Sequence, residues 1–427
     1  MEATQSRPNF FSNALSFLTR QQRDWKITVV RNSMDRFSHQ MLYPYLSIYI
    51  VALGASATQL GLVNSIGMIA AGLLGLFTGW LIDRIGPKAI YLAGIGMVGI
   101  SSLIYGLSQN WVIAIAAMAV YALGNAMSHA SCATICGVCL ENKDRATGMM
   151  ICETVAAGIV GMIAPLIGVW LVTRFAAGGA VTATSIRPVF FFAMAVSVAA
   201  FFVVMALISN RKLHAGQKRG FSFSGDTLEI FKEGKYLKRW LVISSIQSLP
   251  FTMIFPFSQV FANQVKLATP WVLGAIVTGS ALSSILFAVP LGRLADKFGR
   301  KKALYITIPL FWLSNAMLVW SPNAAVLVFA GILQGFCWIG GPISASMERE
   351  LVPAKNMGRW VGILMLCRSL TGALFVFLAG LIWDNIGPEW VFITYIILDA
   401  VVRMPLMIRM PETLGFRLGK QNPETAR

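Results

Sequence analysis

Windows of about 20 predominantly apolar residues recur from one end of this chain to the other, and no other feature restricts its fold so severely. Backbone amides and carbonyls find no water inside a hydrocarbon slab about 30 Å thick. A spanning segment therefore closes its hydrogen bonds on itself as an α-helix of about 20 residues. Twelve windows are predicted, over 27–53, 58–82, 88–108, 111–139, 147–173, 187–208, 239–262, 271–294, 302–321, 323–347, 358–383 and 389–408. A mean hydropathy of +0.67, with 56% hydrophobic and 12% charged residues, excludes a soluble globular chain. The expectation is an all-α membrane protein with 12 transmembrane helices.

The formal net charge of +17 could point to nucleic acid on a soluble protein, but here it follows topology. With the N-terminus inside, only Arg174, Arg187 and Lys266 fall in outer loops, whereas the stretches 84–88, 143–145, 211–239 and 297–302 fall inside. Both termini are therefore expected in the cytoplasm, and no nucleic-acid partner is expected. The first span is long and charged and does not read as a cleavable signal. In the cytoplasmic segment 1–26, Phe10, Phe11, Ala14, Leu15 and Leu18 recur at helical spacing, which suits a short helix on the membrane surface. A basic linker, 209–238, is expected against anionic inner-leaflet headgroups, and 409–427 forms a tail. All six cysteines lie in predicted helices, which argues against a disulfide framework.

The chain is also an internal duplication. GWLIDRIGPKAIY at Gly79 returns as GRLADKFGRKKAL at Gly292, pairing Gly79, Asp83 and Gly86 with Gly292, Asp296 and Gly299 at a constant offset of half the length. MLYPYLSIY at Met41 likewise returns as MIFPFSQVF at Met253, pairing Pro44 with Pro256. Two pseudo-symmetric six-helix bundles, 27–208 and 239–408, follow from this. Each charged stretch falls in a very short connection where glycine permits the turn. Its acid can pair with a nearby base or cap a helix of the other half, as a latch, while Arg300, Lys301 and Lys302 are expected to meet lipid phosphates.

On these residues the chain resembles the major facilitator superfamily of secondary transporters over its whole length. The loop signature G-x-L-a-D-r-x-G-r-k is matched by Gly79, Leu81, Asp83, Arg84, Gly86 and Lys88, departing at Pro87. It is matched again by Gly292, Leu294, Asp296, Lys297, Gly299, Arg300 and Lys301. The resemblance implies the fold of that superfamily and a cytoplasmic gate built from these positions, with Arg145 and Arg359 as partners of the loop aspartates. Pro165 and Gly168 resemble the end of the antiporter signature G-P-x-x-G-G, with Ala164 and Val169 in place of two glycines. The fourth-helix arginine of many proton antiporters is absent from VYALGNA at Val120.

Charges at a helix centre cost about 2.5 to 3.5 kcal/mol each on insertion scales, so each needs a reason. In the first span Arg31, Asn32, Asp35 and His39 share one face, with Tyr43 at its edge and Arg36 to one side. The duplication replaces Asp35, Arg36 and His39 with Gln247, Ser248 and Phe251, so these charges serve something other than the shared scaffold. Asp35 and His39 are read as the proton- or substrate-linked switch, against the alternative of an Arg31–Asp35 pair that is merely tolerated. Glu153 is a second coupling candidate, or a partner of Arg145. Arg368, with Arg31 or Arg36, offers forked donors to an anionic substrate group. Asp399 and Arg403, four residues apart, read as a structural pair.

Further substrate candidates are Tyr43, Asn125, His129, Gln247, Gln334 and Trp338, because polar amides and aromatic faces in a membrane cavity suit an amphipathic molecule. Tyr121, Asn125, His129, Cys132, Cys136 and Cys139 form a stripe on the fourth span. Imidazole and thiol are soft-metal ligands, but the spacing fits no standard zinc motif, so packing is the preferred reading. No nucleotide motif and no cofactor site is visible. The functional expectation is a monomeric secondary transporter, not an enzyme, moving a small solute by alternating access in a bacterial or archaeal cytoplasmic membrane. Proton-coupled export leads. Import or uniport of an organic anion, a transporter-shaped sensor or assembly protein, and, last, soft-metal transport remain as alternatives.

Overall fold

The computed structural model describes residues 19–140, 152, 156–176, 181–209, 236–352 and 357–414. The expected surface helix in 1–18, most of the basic linker, Arg145 and Glu153 lie outside the described residues, as do the side chains of Asp83 and Arg359. The helices of the first half are α1 (Arg23–Leu42), α2 (Leu46–Ala52), α3 (Ala57–Ile85), α4 (Pro87–Leu107), α5 (Trp111–Cys139), α6 (Ala156–Phe175) and α7 (Ala183–Leu207). The second half has α8 (Leu237–Val265), α9 (Pro270–Phe298), α10 (Arg300–Val319), α11 (Ala324–Leu351), α12 (Met357–Asn385) and α13 (Pro388–Ile408). Among the described residues, nine helices are long and apolar enough to cross a membrane. Two more expected spans coincide with the shorter apolar stretches Ala57–Leu73 of α3 and Met162–Phe175 of α6. The first expected span is the polar exception, α1 followed by α2.

Proline explains the matching irregularities of the two halves. α1 stops at Leu42 before Pro44, and α2 resumes at Leu46. In α8 the duplicate Pro256 opens a short α-helical piece between π-helical turns at Pro250–Ile254 and Phe261–Val265. A residue without an N–H interrupts the i to i−4 ladder, and a widened turn absorbs the fault. The tight connections also match. Gly86 joins α3 to α4 at φ +102°, and Gly299 joins α9 to α10 at φ +121°, both in the left-handed region that favours glycine.

The basic residues of these turns reach neighbouring helix ends and carboxylates. Lys301 Nζ donates to the carbonyls of Ile408 (2.7 Å) and Met410 (2.8 Å) at the end of α13. Lys88 Nζ donates in the same way to Met205 (3.0 Å) and Ile208 (2.6 Å) at the end of α7. Arg300 pairs with Asp296 and, at 3.5 Å, with Glu350. Unpaired carbonyls at a helix C-terminus attract a nearby cation. Glu412 completes the knot, accepting from the Arg300 N–H (2.8 Å) and the Lys301 N–H (3.1 Å) at the opposite, positive end of α10.

The apolar core shows how the halves meet. Near the end opposite these turns, a single buried cluster takes Met41, Tyr45 and Val169 from the first half and Phe257, Leu273 and Val376 from the second. Near the basic end it divides. Trp25, Tyr91, Cys132 and Val204 form one cluster within the first half, and Trp240, Met347, Trp360 and Met410 form another within the second. The halves are therefore sealed together at the far end and hold separate cores at the basic end.

Candidate functional site

The far-end seal is built from backbone approach and one carboxylate. Ser65 Oγ of α3 donates to the Ala373 carbonyl of α12 at 2.6 Å. Asp384, at the end of α12, accepts from the backbone N–H groups of Ala57 (3.2 Å) and Thr58 (2.8 Å). Those groups open α3, where unpaired N–H groups and the helix dipole favour an anion. A Cβ on Gly61 would lie 2.6 Å from the Val376 carbonyl, so glycine is what lets α3 and α12 touch. Asp384 was missed by the sequence reading. A signal existed, because Asp-Arg-Ile-Gly-Pro at 83–87 recurs as Asp-Asn-Ile-Gly-Pro at 384–388, with Gly387 again at positive φ (+148°).

Below the seal the two halves present different chemistry. Along α1, His39 lies within electrostatic reach of Asp35, Arg36 and His129, and Tyr121 of α5 within reach of Asp35, Arg36 and Arg31. His129 of α5 is exposed, between the buried Ser128 and the half-buried Ala130. From the second half come rings. Phe251 meets Trp338 edge-on at 4.8 Å, and Phe255 stacks on Trp338 at 5.6 Å. Tyr43 bridges the halves, 5.9 Å from the His39 ring and 6.3 Å from Phe255. A polar, titratable stretch of the first half and an aromatic cluster of the second thus meet at Tyr43.

The remaining candidates divide. Arg31 is buried, pairs with Asp35 at 3.3 Å and stacks 4.9 Å above the Tyr91 ring. Together with Asp35 it lines a small cavity inside the first half, against Ile95 and Val98 of α4 and Ser197 of α7. Arg31 therefore points into its own bundle, and Arg36 is the α1 guanidinium placed nearer the seam histidines. Asn32 is buried and donates to the Cys152 carbonyl at 2.6 Å. Gln247 donates to Ser344 Oγ at 2.7 Å within its own half, while Gln334 is buried with its amide nitrogen unpaired. Asn125 is half-buried on α5. Arg368 faces Glu348 at 3.8 Å, a partner the sequence reading did not name. At the loop turns, Gly79 lies within α3, Gly292 has open space around it, and Arg84 follows at the α3 end.

A model of the Major Facilitator Superfamily matches residues 32–276 and 240–413. The chain belongs to that superfamily. Relatives include the multidrug resistance protein MdtL of Shewanella oneidensis, 25% identical over 91% of this chain and 98% of the relative. The multidrug resistance protein MdtG of Dickeya zeae is 26% identical over 66% of this chain and 69% of its own length. Among solved structures, the nucleoside transporter NupG superposes with a TM-score of 0.74 at 16% identity, covering 91% of this chain and all of that one. The human organic anion transporter MFSD10 does so with a TM-score of 0.64 at 15% identity, covering 90% and 99%. At such identities the structures share the fold alone. This superfamily member is a multi-pass membrane transporter for small solutes, not an enzyme.

Proposed function

We propose that the protein is a proton-coupled exporter of amphipathic organic solutes, here in its inward-facing conformer, with the basic end in the cytoplasm. The carrying observation is the divided core: one apolar cluster welds the halves at the far end, and two separate clusters flank the basic end. That geometry leaves the seam reachable from the cytoplasm, where an exporter collects its cargo. The multidrug resistance names of MdtL and MdtG support the direction. Aromatic faces from Phe251, Phe255 and Trp338 hold the apolar part of the solute, and Arg36, His39 and His129 sense its charge. Asp35 carries the coupling proton. Protonation removes the partner of the buried Arg31, whose freed charge biases the first half toward the other conformer.

Purified protein in liposomes with an internal pH dye tests this against a panel of lipophilic cations and organic anions. A lipophilic solute is expected to trigger proton movement, and Asp35→Asn to abolish it while solute binding persists. Unchanged, pH-dependent concentrative transport by Asp35→Asn would overturn the coupling role.

A further inference from the structure

Three of the six cysteines converge, although helical spacing alone shows only a stripe on α5. Cys132 and Cys136 lie one turn apart on α5, and Cys152, twenty residues after Cys132, reaches them from beyond the α5 end. Its Sγ is 4.0 Å from each of theirs, and all three sulfurs lie within 4.8 Å of one another. All three residues are buried. With two sides of 4.0 Å and a third of at most 4.8 Å, the centre of the triangle lies about 2.3 to 2.5 Å from each sulfur, against a metal–thiolate bond of about 2.3 Å. The three thiols are already spaced as ligands.

From this geometry we infer a binding site for one soft, thiophilic d10 cation, with Cu(I) as the ion it fits best, held by Cys132, Cys136 and Cys152. Soft thiolates select Cu(I), and three sulfurs around one point in a buried site supply a trigonal coordination that a hard cation rejects. A tetrahedral ion such as zinc would need a fourth ligand. Loading is balanced by proton release: three thiols and one Cu(I) give a tris-thiolate of net charge −2 and three protons, which leave to water. The surroundings suit that charge. Arg31 and His129 both lie within electrostatic reach of Cys132. The Asn32 amide that donates to the Cys152 carbonyl also sits 3.9 Å from its sulfur, the kind of outer-shell donor that steadies a thiolate ligand. The site differs from the sequence stripe in its third member. Cys152 replaces His129 and Cys139, because contact between separate segments is invisible to helical periodicity.

The test uses the full-length protein, reduced and purified in detergent under argon, titrated with Cu(I) buffered by a chromophoric Cu(I) chelator. One copper per chain is expected to transfer from the chelator. X-ray absorption should report three sulfurs at about 2.3 Å and no nitrogen or oxygen ligand. Cys152→Ser, confirmed monodisperse by gel filtration, should lose affinity by tenfold or more. The Cys337→Ser/Cys367→Ser variant, altered outside the triangle, should bind as the unaltered protein does. Failure to take copper from the chelator, a nitrogen- or oxygen-dominated spectrum, or undiminished binding by Cys152→Ser would each overturn the site. If Cys152→Ser does not fold, the ligand count in the unaltered protein decides alone.

Discussion

Two ion pairs with the same i,i+4 spacing have different fates, and burial separates them. Asp399 is fully buried, bound by Arg403 at 3.1 Å on its own helix and by Trp312 Nε1 of α10 at 2.8 Å, so its strong partners are already in place. Removing one member of such a pair leaves the other charge buried alone, at about 3–5 kcal/mol, whereas replacing both with apolar residues of similar volume is often neutral. Asp399→Asn is therefore expected to lower the thermal unfolding midpoint sharply in detergent, and Asp399→Leu with Arg403→Met to restore most of it. Arg31–Asp35 is the looser pair, with the Asp35 side chain 18% exposed beside a small cavity. Its double replacement, Arg31→Met with Asp35→Leu, should fold and still bind solute but lose solute-driven proton movement in liposomes. Retained proton movement would return Asp35 to a structural role. Spacing alone exposed both pairs in the sequence, because their members lie on one helix. Glu348 and Cys152 stayed hidden for the complementary reason. Glu348 finds Arg368 on another helix, and its own charge ended the apolar window at 347, just before it.

Helices α3 and α12 run antiparallel across the seam, and each carries an Asp-x-Ile-Gly-Pro turn or receives one. At the far end Asp384 caps α3 of the other half, and the charge favoured there by the helix dipole is the carboxylate. By the repeated Asp-x-Ile-Gly-Pro turn, Asp83 is the residue at the opposite end of α3 that corresponds to Asp384, with the start of α12 as its expected partner. We expect it to engage there when the basic end closes. Deleting a capping side chain costs about 0.5–2 kcal/mol, so Asp384→Ala should shift the conformer ratio roughly five-fold toward an open far end. Gly61→Ala should act in the same direction by pushing the α12 backbone away. Spin labels at Ala52 and Gln264 would read the change as a longer distance population. An unchanged distribution in both variants would show that the apolar cluster alone holds the seal. The spans themselves were legible because hydropathy repeats at membrane thickness. The partner of each turn was not, since which helix a carboxylate caps depends on how two halves dock, and no local period encodes that.

For the whole molecule, the divided core makes one demand that residue and element cannot. His129 is exposed although it sits in mid-helix, and under the inward-facing reading water reaches it from the basic end only. A membrane-impermeant thiol reagent should therefore modify His129→Cys in inside-out vesicles and leave it untouched in right-side-out ones, with mass spectrometry reporting modification at that position. Adding Asp384→Ala should let the same reagent in from the outside, because the two variants then report on a single rocking equilibrium rather than on two local defects. Equal modification from both sides without the second change would mean that the far-end cluster does not seal the seam. Protection from both sides would mean that the basic end is also closed and that the separate cores stand against each other across a dry interface. The combined variant distinguishes a gate from a wall, since only a molecule with two exclusive openings trades access on one face for access on the other.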